Sequence, residues 1–344
     1  MQDKNKQTPQ IGVIGAGSWG TTLANLLAWK GLKVSLWVYE RELCNILREK
    51  RVNTLYLSGI KLSPHIHATT SLKEACTNKD FLFIVCPSQK VRGILKRCLP
   101  HLSSQTTIIN AAKGIENRSL LPMSQVVKEI LPPKYHKRLA FLSGPSFAME
   151  VSQMHPTAVS LASEESFVAR EIQTLLSTPY FRVYASTDVV GVTLGGALKN
   201  VIAIAAGISD GLGFGYNTRA ALITRGLAEM TRLGCRMGAN ALTFSGLSGL
   251  GDLVLTCTSD LSRNRSLGIR LGKGERLEDI LNGTREVIEG VSTTKSAYQL
   301  SRKLKVEMPI THQTHLVLYK NKSPKTAVSE LMSRNLRYEL DPPC

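Results

Sequence analysis

Apolar residues in the first half of the chain form short continuous runs that alternate with amphipathic stretches. The runs predict strands at 10–14, 33–38, 81–85, 106–109, 138–142, 157–161 and 181–184. Residues 21–30, between the first two runs, have the apolar spacing of a helix. Strands that are apolar throughout and separated by helices are typical of a parallel sheet buried on both faces. The pattern therefore predicts a doubly wound α/β sheet.

Beyond residue 188 strand-like runs give way to long helical patterns. These patterns predict helices at 189–208, 218–237, 292–304 and 314–319. A chain of 344 residues is long enough for two domains with separate cores. We therefore predict an α/β domain over residues 1–188 and an all-helical domain over residues 189–344.

The net charge of the chain is +17, from 43 Lys and Arg residues against 26 Asp and Glu residues. An excess of this size raises the question of a nucleic-acid partner. The basic residues are spread along the chain, with no basic arm and no interleaved aromatic platform. A protein that binds phosphorylated small molecules has the same balance, so we expect no nucleic-acid partner.

The N-terminal segment is polar and lacks the apolar core of a signal peptide. The most apolar stretch, 189–209, contains Lys199, Asn200 and several glycines, which favours a buried helix over a membrane span. We expect a cytoplasmic protein with no integral membrane segment.

The cysteines form no C-x-x-C pair and have no zinc-type spacing, so we expect reduced thiols and no metal site. They are Cys44, Cys76, Cys86, Cys98, Cys235, Cys257 and Cys344.

A glycine-rich turn joins the first predicted strand to the first predicted helix. Gly15, Gly17 and Gly20 form the pattern G-x-G-x-x-G at this position. Gly15 permits the tight turn, Gly17 leaves room for a pyrophosphate, and Gly20 allows the helix to pack closely on the sheet. The positive end of the helix then faces the phosphates. The context favours a Rossmann-like dinucleotide site over a merely structural turn.

The choice of dinucleotide stays open at this point. Tyr39, Glu40 and Arg41 follow the second predicted strand. Glu40 could bind the ribose hydroxyls of NAD, whereas Arg41 could hold the additional phosphate of NADP. Both could equally be solvated charges at the start of the next helix.

Lys199 is the only charged residue between Asp188 and Asp210. An apolar environment disfavours the ammonium form and lowers the pKa of a lysine toward the working pH, as a general acid/base requires. Glycines just before Lys199 allow a ligand or another backbone to approach. The alternative is a lysine at the edge of the core whose ammonium reaches solvent.

Several other polar residues lie in contexts that suit an anionic substrate. Lys113 follows the strand at 106–109, near the sheet edge where ligands bind in open α/β folds. Gly144 and Ser146 lie where a strand breaks into a turn and a Ser-capped helix. Asp252 ends a glycine-rich loop, from which it could hold a substrate hydroxyl or a lysine. Each of these residues could equally have only a structural role.

The segment Ser262-Arg263-Asn264 combines a Ser cap, a guanidinium and an amide. Arg offers paired donors, and the helix end adds its dipole, so this segment is a good phosphate cradle. An ordinary basic helix start has the same composition.

Taken in order, these segments resemble the bacterial type of NAD(P)-dependent glycerol-3-phosphate dehydrogenase. The resemblance runs from Ile11 to about Leu331. Its most specific motifs are Gly15-Ala16-Gly17-Ser18-Trp19-Gly20, Ala112-Lys113-Gly114, Ser143-Gly144-Pro145-Ser146-Phe147-Ala148, Gly196-Ala197-Leu198-Lys199-Asn200, Gly249-Leu250-Gly251-Asp252-Leu253, Ser262-Arg263-Asn264 and Glu289-Gly290.

The resemblance implies hydride transfer between NAD(P) and a phosphorylated triose, which would supply glycerol 3-phosphate for phospholipid synthesis. It implies a homodimer, and it makes Lys199 the proton donor and acceptor. The implied substrate contacts are Lys113, Gly144, Ser146, Lys199, Asp252, Ser262, Arg263 and Asn264. The implied dinucleotide contacts, besides the three turn glycines, are Ser18, Trp19, Tyr39, Lys113, Ala148, Arg263, Val287 and Glu289. Tyr39 departs from the Arg or His that many members carry there, which leaves the choice between NAD and NADP open.

Two other interpretations fit parts of this pattern. A hydroxyacid or 6-phosphogluconate-type dehydrogenase would have the same two-domain plan, but Ser262-Arg263-Asn264 and the short loop before Asp252 favour a small phosphorylated triose. A dinucleotide-binding regulator without catalysis would need neither Lys199 nor Asp252.

Overall fold

The computed structural model describes residues 8–284, 286–336 and 338–339. The strands are β1 (Ile11–Ile14), β2 (Val34–Trp37), β3 (Val52–Asn53), β4 (Leu57–Lys61), β5 (Ile66–Thr69), β6 (Phe81–Ile84), β7 (Thr107–Asn110), β8 (Leu139–Ser143), β9 (Thr157–Ala162) and β10 (Phe181–Ser186). The helices of the first part are α1 (Ser18–Trp29), α2 (Arg41–Lys50), α3 (Leu72–Cys76), α4 (Val91–Cys98), α5 (Met123–Ile130), α6 (Ala148–Ser152) and α7 (Ser166–Leu176). Those of the second part are α8 (Val189–Gly211), α9 (Tyr216–Arg236), α10 (Ala241–Phe244), α11 (Asp252–Thr258), α12 (Arg263–Gly272), α13 (Leu277–Asn282), α14 (Glu289–Leu304), α15 (Pro309–Lys320) and α16 (Pro324–Met332).

The first part is an eight-stranded sheet in the order β10-β9-β8-β7-β6-β1-β2-β5. Every predicted strand is present, and the predicted α/β class is confirmed. The prediction of a uniformly parallel sheet is wrong at one pairing, because β8 and β9 are antiparallel. The strand β5 and the β3–β4 hairpin were not predicted, because their short sequences mix polar with apolar residues.

Helices cover both faces of this sheet, as a doubly wound fold requires. Leu23 and Leu27 of α1 pack with Phe181 on one face. On the opposite face, Leu95 of α4 and Val126 of α5 belong to a second core cluster. The central strands β1, β6, β7 and β8 are buried at every position, which is why most of their residues are apolar.

The second part contains helices joined by turns and loops, with no strand among the described residues that follow β10. Helix α8 begins at Val189, as predicted, because the Asp188 carboxylate caps it by accepting a hydrogen bond of 2.8 Å from the Gly191 N–H. Helix α15 is longer than predicted, since Pro309 occupies its first turn, where a missing N–H costs nothing. A division into two independent domains at residue 188 stays a prediction.

Helices α8 and α12 touch along their backbones. A Cβ atom at Gly207 would lie 2.1 Å from a carbonyl oxygen of α12, and one at Gly268 would lie 2.2 Å from a carbonyl oxygen of α8. Gly211 and Gly272 repeat this contact one turn further along. Because no side chain lies between the two helices here, the start of α12 is held at a set position relative to α8.

Two helical stretches are long and apolar enough to span a membrane by length and composition alone. They are Val189–Gly211 and Ala241–Thr258, of which 89% and 39% are buried inside the protein. The first stretch is the central core helix of the second part, as its sequence predicts. One or two stretches of this kind are weak evidence for a membrane span, since a buried core helix passes the same test.

The prediction of reduced, buried thiols holds for most of the described cysteines. The free and buried ones are Cys44, Cys76, Cys86, Cys98 and Cys257. The prediction is wrong for Cys235, which is disulfide-bonded. Unlike the buried thiols, Cys235 is partly exposed on α9. Cys344 lies outside the described residues.

Candidate active site

The glycine-rich turn has the backbone geometry that its sequence predicts. Gly15 adopts a φ of +119°, which favours glycine, and a Cβ at Gly20 would lie 1.9 Å from the Gly15 carbonyl oxygen. A Cβ at Gly17 would meet no atom within 4 Å. Gly17 therefore faces open space at the N-terminus of the twelve-residue helix α1. A pyrophosphate fits this space, because backbone N–H groups and the helix dipole face it.

The aromatic residues near this turn have different environments. Trp19 is partly buried and packs its ring 6.5 Å from that of Phe181, so it also has a structural role. Tyr39 is 76% exposed, with its ring edge against Trp37 at 6.1 Å. Ser18 is partly buried in the first turn of α1. The exposed Tyr39 ring is free to lie against a ligand, whereas Trp19 is partly covered by the protein.

Two lysines share one carboxylate at the carboxyl edge of the sheet. Lys113 Nζ, beyond β7, donates to Asp252 Oδ2 at 2.8 Å. Lys199 Nζ, on α8, donates to the other oxygen of Asp252. Asp252 is fully buried at the start of α11. The structure thus joins residues from three separate segments into one charged cluster.

Thr256 completes the surroundings of Lys199. Its hydroxyl accepts a 2.9 Å hydrogen bond from Lys199 Nζ. The same hydroxyl donates to the Asp252 carbonyl oxygen at 2.6 Å. Sequence reasoning missed Thr256, although its spacing of four residues from Asp252 places both on one face of a helix.

The environment of Lys199 brings its ammonium close to neutral pH. Burial lowers its pKa to about 8, against the opposing effect of the Asp252 carboxylate. The positive charge of Lys113 acts in the same direction as burial and contributes to this lowered pKa. A lysine with a pKa of this size can both donate and accept a proton under physiological conditions. The structure thus gives Lys199 the electrostatic setting that its apolar sequence context predicts.

Small residues let α8 approach the sheet edge beside Lys199. A Cβ at Gly196 would lie 2.3 Å from Ser143 Oγ, and one at Gly195 would lie 2.5 Å from the Ser248 carbonyl oxygen. Ser143 Oγ is buried without a hydrogen-bond partner among the described residues. Sequence reasoning missed Ser143 as well, because its neighbourhood is formed by α8 and not by its own strand.

The turn after β8 adds a carbonyl to the lysine cluster. Gly144, with a φ of +123°, directs its carbonyl oxygen to Lys113 Nζ at 3.0 Å. Ser146 Oγ donates to the same oxygen at 3.0 Å. The predicted Ser146 helix cap is therefore wrong, since α6 begins only at Ala148. Ser146 is instead held beside the lysine cluster.

The predicted phosphate cradle lies at the start of α12. Ser262 Oγ caps this helix by accepting the Arg265 N–H at 3.2 Å. Asn264 donates to Asn200 Oδ1 at 2.9 Å, which ties α12 to the residue after Lys199. Arg263 is half-exposed, and its guanidinium donates to the Val287 carbonyl oxygen at 3.2 Å. Arg263 is the member of this segment whose charge faces outward.

Glu289 connects the helical part to the loop after β6. Its carboxylate accepts hydrogen bonds from Ser88 N at 2.8 Å and from Ser88 Oγ at 2.5 Å. Burial raises the pKa of Glu289. Val287, two residues earlier, is 48% exposed. Ala148 is another predicted cofactor contact. It is partly buried, and its carbonyl oxygen accepts a hydrogen bond from Thr22 Oγ1 at 3.2 Å.

The described residues contain no group of three or more His, Cys, Asp or Glu side chains that could hold a metal ion. The charged cluster consists of Lys113, Lys199 and the Asp252 carboxylate. Such a cluster can bind an oxygen that becomes negatively charged and can exchange a proton with it.

Family models match almost the whole chain. The N-terminal model of NAD-dependent glycerol-3-phosphate dehydrogenase covers residues 10–169, and the C-terminal model covers residues 188–329. A curated relative from Syntrophotalea carbinolica, glycerol-3-phosphate dehydrogenase [NAD(P)+], is 57% identical over 96% of this chain and 99% of its own length. The protein of the same name from Geobacter sulfurreducens is 59% identical over 96% of this chain and 98% of its own length.

A solved structure has the same overall fold. The crystal structure of glycerol-3-phosphate dehydrogenase from Coxiella burnetii matches with a TM-score of 0.90 at 41% identity. The match covers 95% of this chain and 99% of the other.

Proposed function

The chain belongs to the NAD-dependent glycerol-3-phosphate dehydrogenase family and is an NAD(P)-dependent oxidoreductase of glycerol 3-phosphate, and we propose that Lys199 is its proton donor and acceptor. The observation that carries this role is the buried Lys199 ammonium, which shares the Asp252 carboxylate with Lys113 beside the sheet edge. The same family assignment favours this reaction over that of a hydroxyacid dehydrogenase or of a regulator without catalysis.

The dinucleotide would bind at the turn of Gly15, Gly17 and Gly20, with its pyrophosphate at the N-terminus of α1. When bound, it supplies or accepts the hydride. Ser18, Trp19, Tyr39, Lys113, Ala148, Arg263, Val287 and Glu289 remain the proposed contacts for the rest of the molecule.

The protein's own part in the reaction is proton transfer and charge stabilisation. During reduction of dihydroxyacetone phosphate, the carbonyl carbon receives a hydride and the carbonyl oxygen receives a proton. Lys199 Nζ donates a hydrogen bond to that oxygen and then the proton, and it takes the proton back in the reverse direction. Lys113 adds a second positive charge near the developing alkoxide. Asp252 orients both ammonium groups through its two oxygens.

Binding of the substrate phosphate would hold the reacting carbon in place. Arg263 supplies an outward-facing guanidinium, and Ser262 and Asn264 belong to the same helix start. Binding energy from the phosphate is then used to position the carbonyl beside the lysines. Gly144 and Ser146, which lie beside Lys113, would contact the substrate as well.

We propose that the protein acts in the cytoplasm as a homodimer and supplies glycerol 3-phosphate for glycerophospholipid synthesis. Family membership supports these three points.

The test is oxidation of NADH and NADPH with dihydroxyacetone phosphate by the purified chain and by Lys199→Met. Loss of the acid/base should reduce kcat by about 10²–10⁴-fold and leave NADH binding nearly unchanged. Lys96→Met, at an exposed lysine of α4, is the matched control and should keep full activity. Substantial turnover by Lys199→Met would remove Lys199 from this role.

A further inference from the structure

The β3–β4 hairpin is fastened to the glycine-rich turn through Asn53. This fully buried side chain donates from Nδ2 to the Ala16 carbonyl oxygen at 2.9 Å and to Thr21 Oγ1 at 2.7 Å. Its Oδ1 accepts a hydrogen bond from Tyr56 N at 3.0 Å. One buried amide thus joins the turn, helix α1 and the hairpin, so Tyr56 has a set position relative to the turn.

Tyr56 in turn holds Glu40, the carboxylate that follows β2. The Tyr56 hydroxyl donates to Glu40 Oε1 at 2.8 Å. Strand β2 runs beside β1, and the Trp37 carbonyl oxygen accepts a 3.2 Å hydrogen bond from Gly15 N. Glu40 therefore lies at the end of β2 that adjoins the turn. Among the described residues Tyr56 is the hydrogen-bond donor to this carboxylate, which keeps acceptor capacity for a ligand.

We propose that Tyr56 is a positioning residue that holds Glu40 for the adenosine ribose, so that this chain selects NAD(H) over NADP(H). The inference rests on the proposed function, which places the dinucleotide on the turn of Gly15 and Gly17. A ribose 2′-hydroxyl can donate a hydrogen bond to the Glu40 carboxylate. A 2′-phosphate carries almost two negative charges at neutral pH, so the same carboxylate repels it.

Arg41 is the residue that would favour NADP(H) over NAD(H). It is exposed at the first position of α2, directly after Glu40. A guanidinium there can pair with a 2′-phosphate only if the phosphate tolerates the neighbouring carboxylate. The hydrogen bond from Tyr56 keeps that carboxylate in place, and this favours the dinucleotide without the additional phosphate.

The test is direct binding of NADH and of NADPH to the full chain without substrate, followed by nicotinamide fluorescence. Unmodified protein should bind NADH about tenfold or more tightly than NADPH, and high salt should reduce this ratio. Glu40→Gln, which removes the charge at nearly constant shape, should bring the ratio close to one. Tyr56→Phe should weaken NADH binding several-fold, because Glu40 loses its support, and should leave NADPH binding the same or tighter.

Tyr319→Phe is the matched control, because its hydroxyl also donates a hydrogen bond, to the Val291 carbonyl oxygen at 2.8 Å. It should leave both dissociation constants unchanged. Equal or tighter binding of NADPH by the unmodified chain, lost in Arg41→Ala, would overturn the proposed selectivity. An unchanged ratio in Tyr56→Phe, with only a lower melting temperature, would reduce Tyr56 to a structural role. A folded protein that binds neither dinucleotide would contradict the proposed function itself.

Discussion

Lys113 Nζ lies 2.8 Å from Asp252 Oδ2, and this ion pair joins the sheet of the first part to the helices of the second. The other oxygen of Asp252 accepts from Lys199. Both ammonium groups therefore depend on one carboxylate, which is fully buried. Removing its charge would leave two like charges close together in a largely desolvated site.

Asp252→Asn should shift the pH dependence of the reaction. Lys199 must begin as ammonium to donate its proton, so reduction of dihydroxyacetone phosphate should fall as the pH rises through the pKa of about 8. Without the Asp252 charge the pKa of Lys199 falls further, and the loss of rate should occur at a lower pH. Glycerol 3-phosphate oxidation needs neutral Lys199 and should show the opposite trend. The measurement is kcat against pH in both directions.

Asp279→Asn, at an exposed carboxylate of α13, is the control for that experiment. It should keep the profile of the unmodified chain. An identical midpoint in Asp252→Asn, in protein that melts at its usual temperature, would show that Lys199 is not the group that titrates.

Gly17→Ala should separate cofactor binding from folding. A Cβ at this position meets no protein atom within 4 Å, and the backbone φ of −66° suits alanine. The melting temperature should stay unchanged, while NADH binding should weaken about tenfold or more because the methyl group occupies space needed by the pyrophosphate. Gly93→Ala in α4 adds a methyl into equally open space and should leave binding intact. Full affinity in Gly17→Ala would place the phosphates elsewhere.

Arg263→Ala should act on the substrate phosphate. The variant loses a charge-assisted pair of hydrogen bonds to the phosphate, so kcat/KM for dihydroxyacetone phosphate should fall by about 100-fold. The corresponding rate with dihydroxyacetone, which has no phosphate, should hardly change. Arg270→Ala removes a guanidinium from the same helix, where it pairs with Glu275, and serves as the control. An equal loss with both substrates would argue against an anchoring role.

Glu229→Gln should change how stability depends on pH. Glu229 is buried on α9 and accepts hydrogen bonds from Ile310 N at 2.5 Å and Thr311 N at 3.1 Å. Burial raises its pKa from 4.5 to about 7, so the folded state binds the proton more tightly than the unfolded state. Stability from this group is therefore present below about pH 4.5 and is lost as the pH rises to about 7.

Over this pH range the free energy of unfolding should fall by roughly 3 kcal/mol, which corresponds to a few degrees in the melting temperature. The difference in melting temperature between pH 5 and pH 8 should shrink in Glu229→Gln, whatever the absolute stability of the variant. Glu278→Gln, at an exposed residue of α13, should keep the difference of the unmodified chain. The same difference in Glu229→Gln would mean that Glu229 does not titrate in this range.

Features that depend on a local pattern could be predicted from the sequence. The glycine spacing at Gly15 and Gly20 reflects contacts within one turn, and the burial of Lys199 follows from the apolar residues around it. Contacts between distant segments could not be predicted in the same way. The hydrogen bond from Tyr56 to Glu40 and the gap that Gly196 leaves for Ser143 exist only after the elements pack. The antiparallel β8–β9 pairing had no local signal, because β9 is largely apolar, like the parallel strands of the sheet.

The glycine contact between α8 and α12 has a consequence for substrate length. Lys199 projects from α8 and Arg263 begins α12, so in their proposed roles the two helices carry opposite ends of the substrate. Because their backbones touch at Gly207 and Gly268, the backbone positions from which the two side chains start have a set separation. In these roles the helix spacing would favour a three-carbon phosphate ester as substrate over the phosphate ester of a longer sugar.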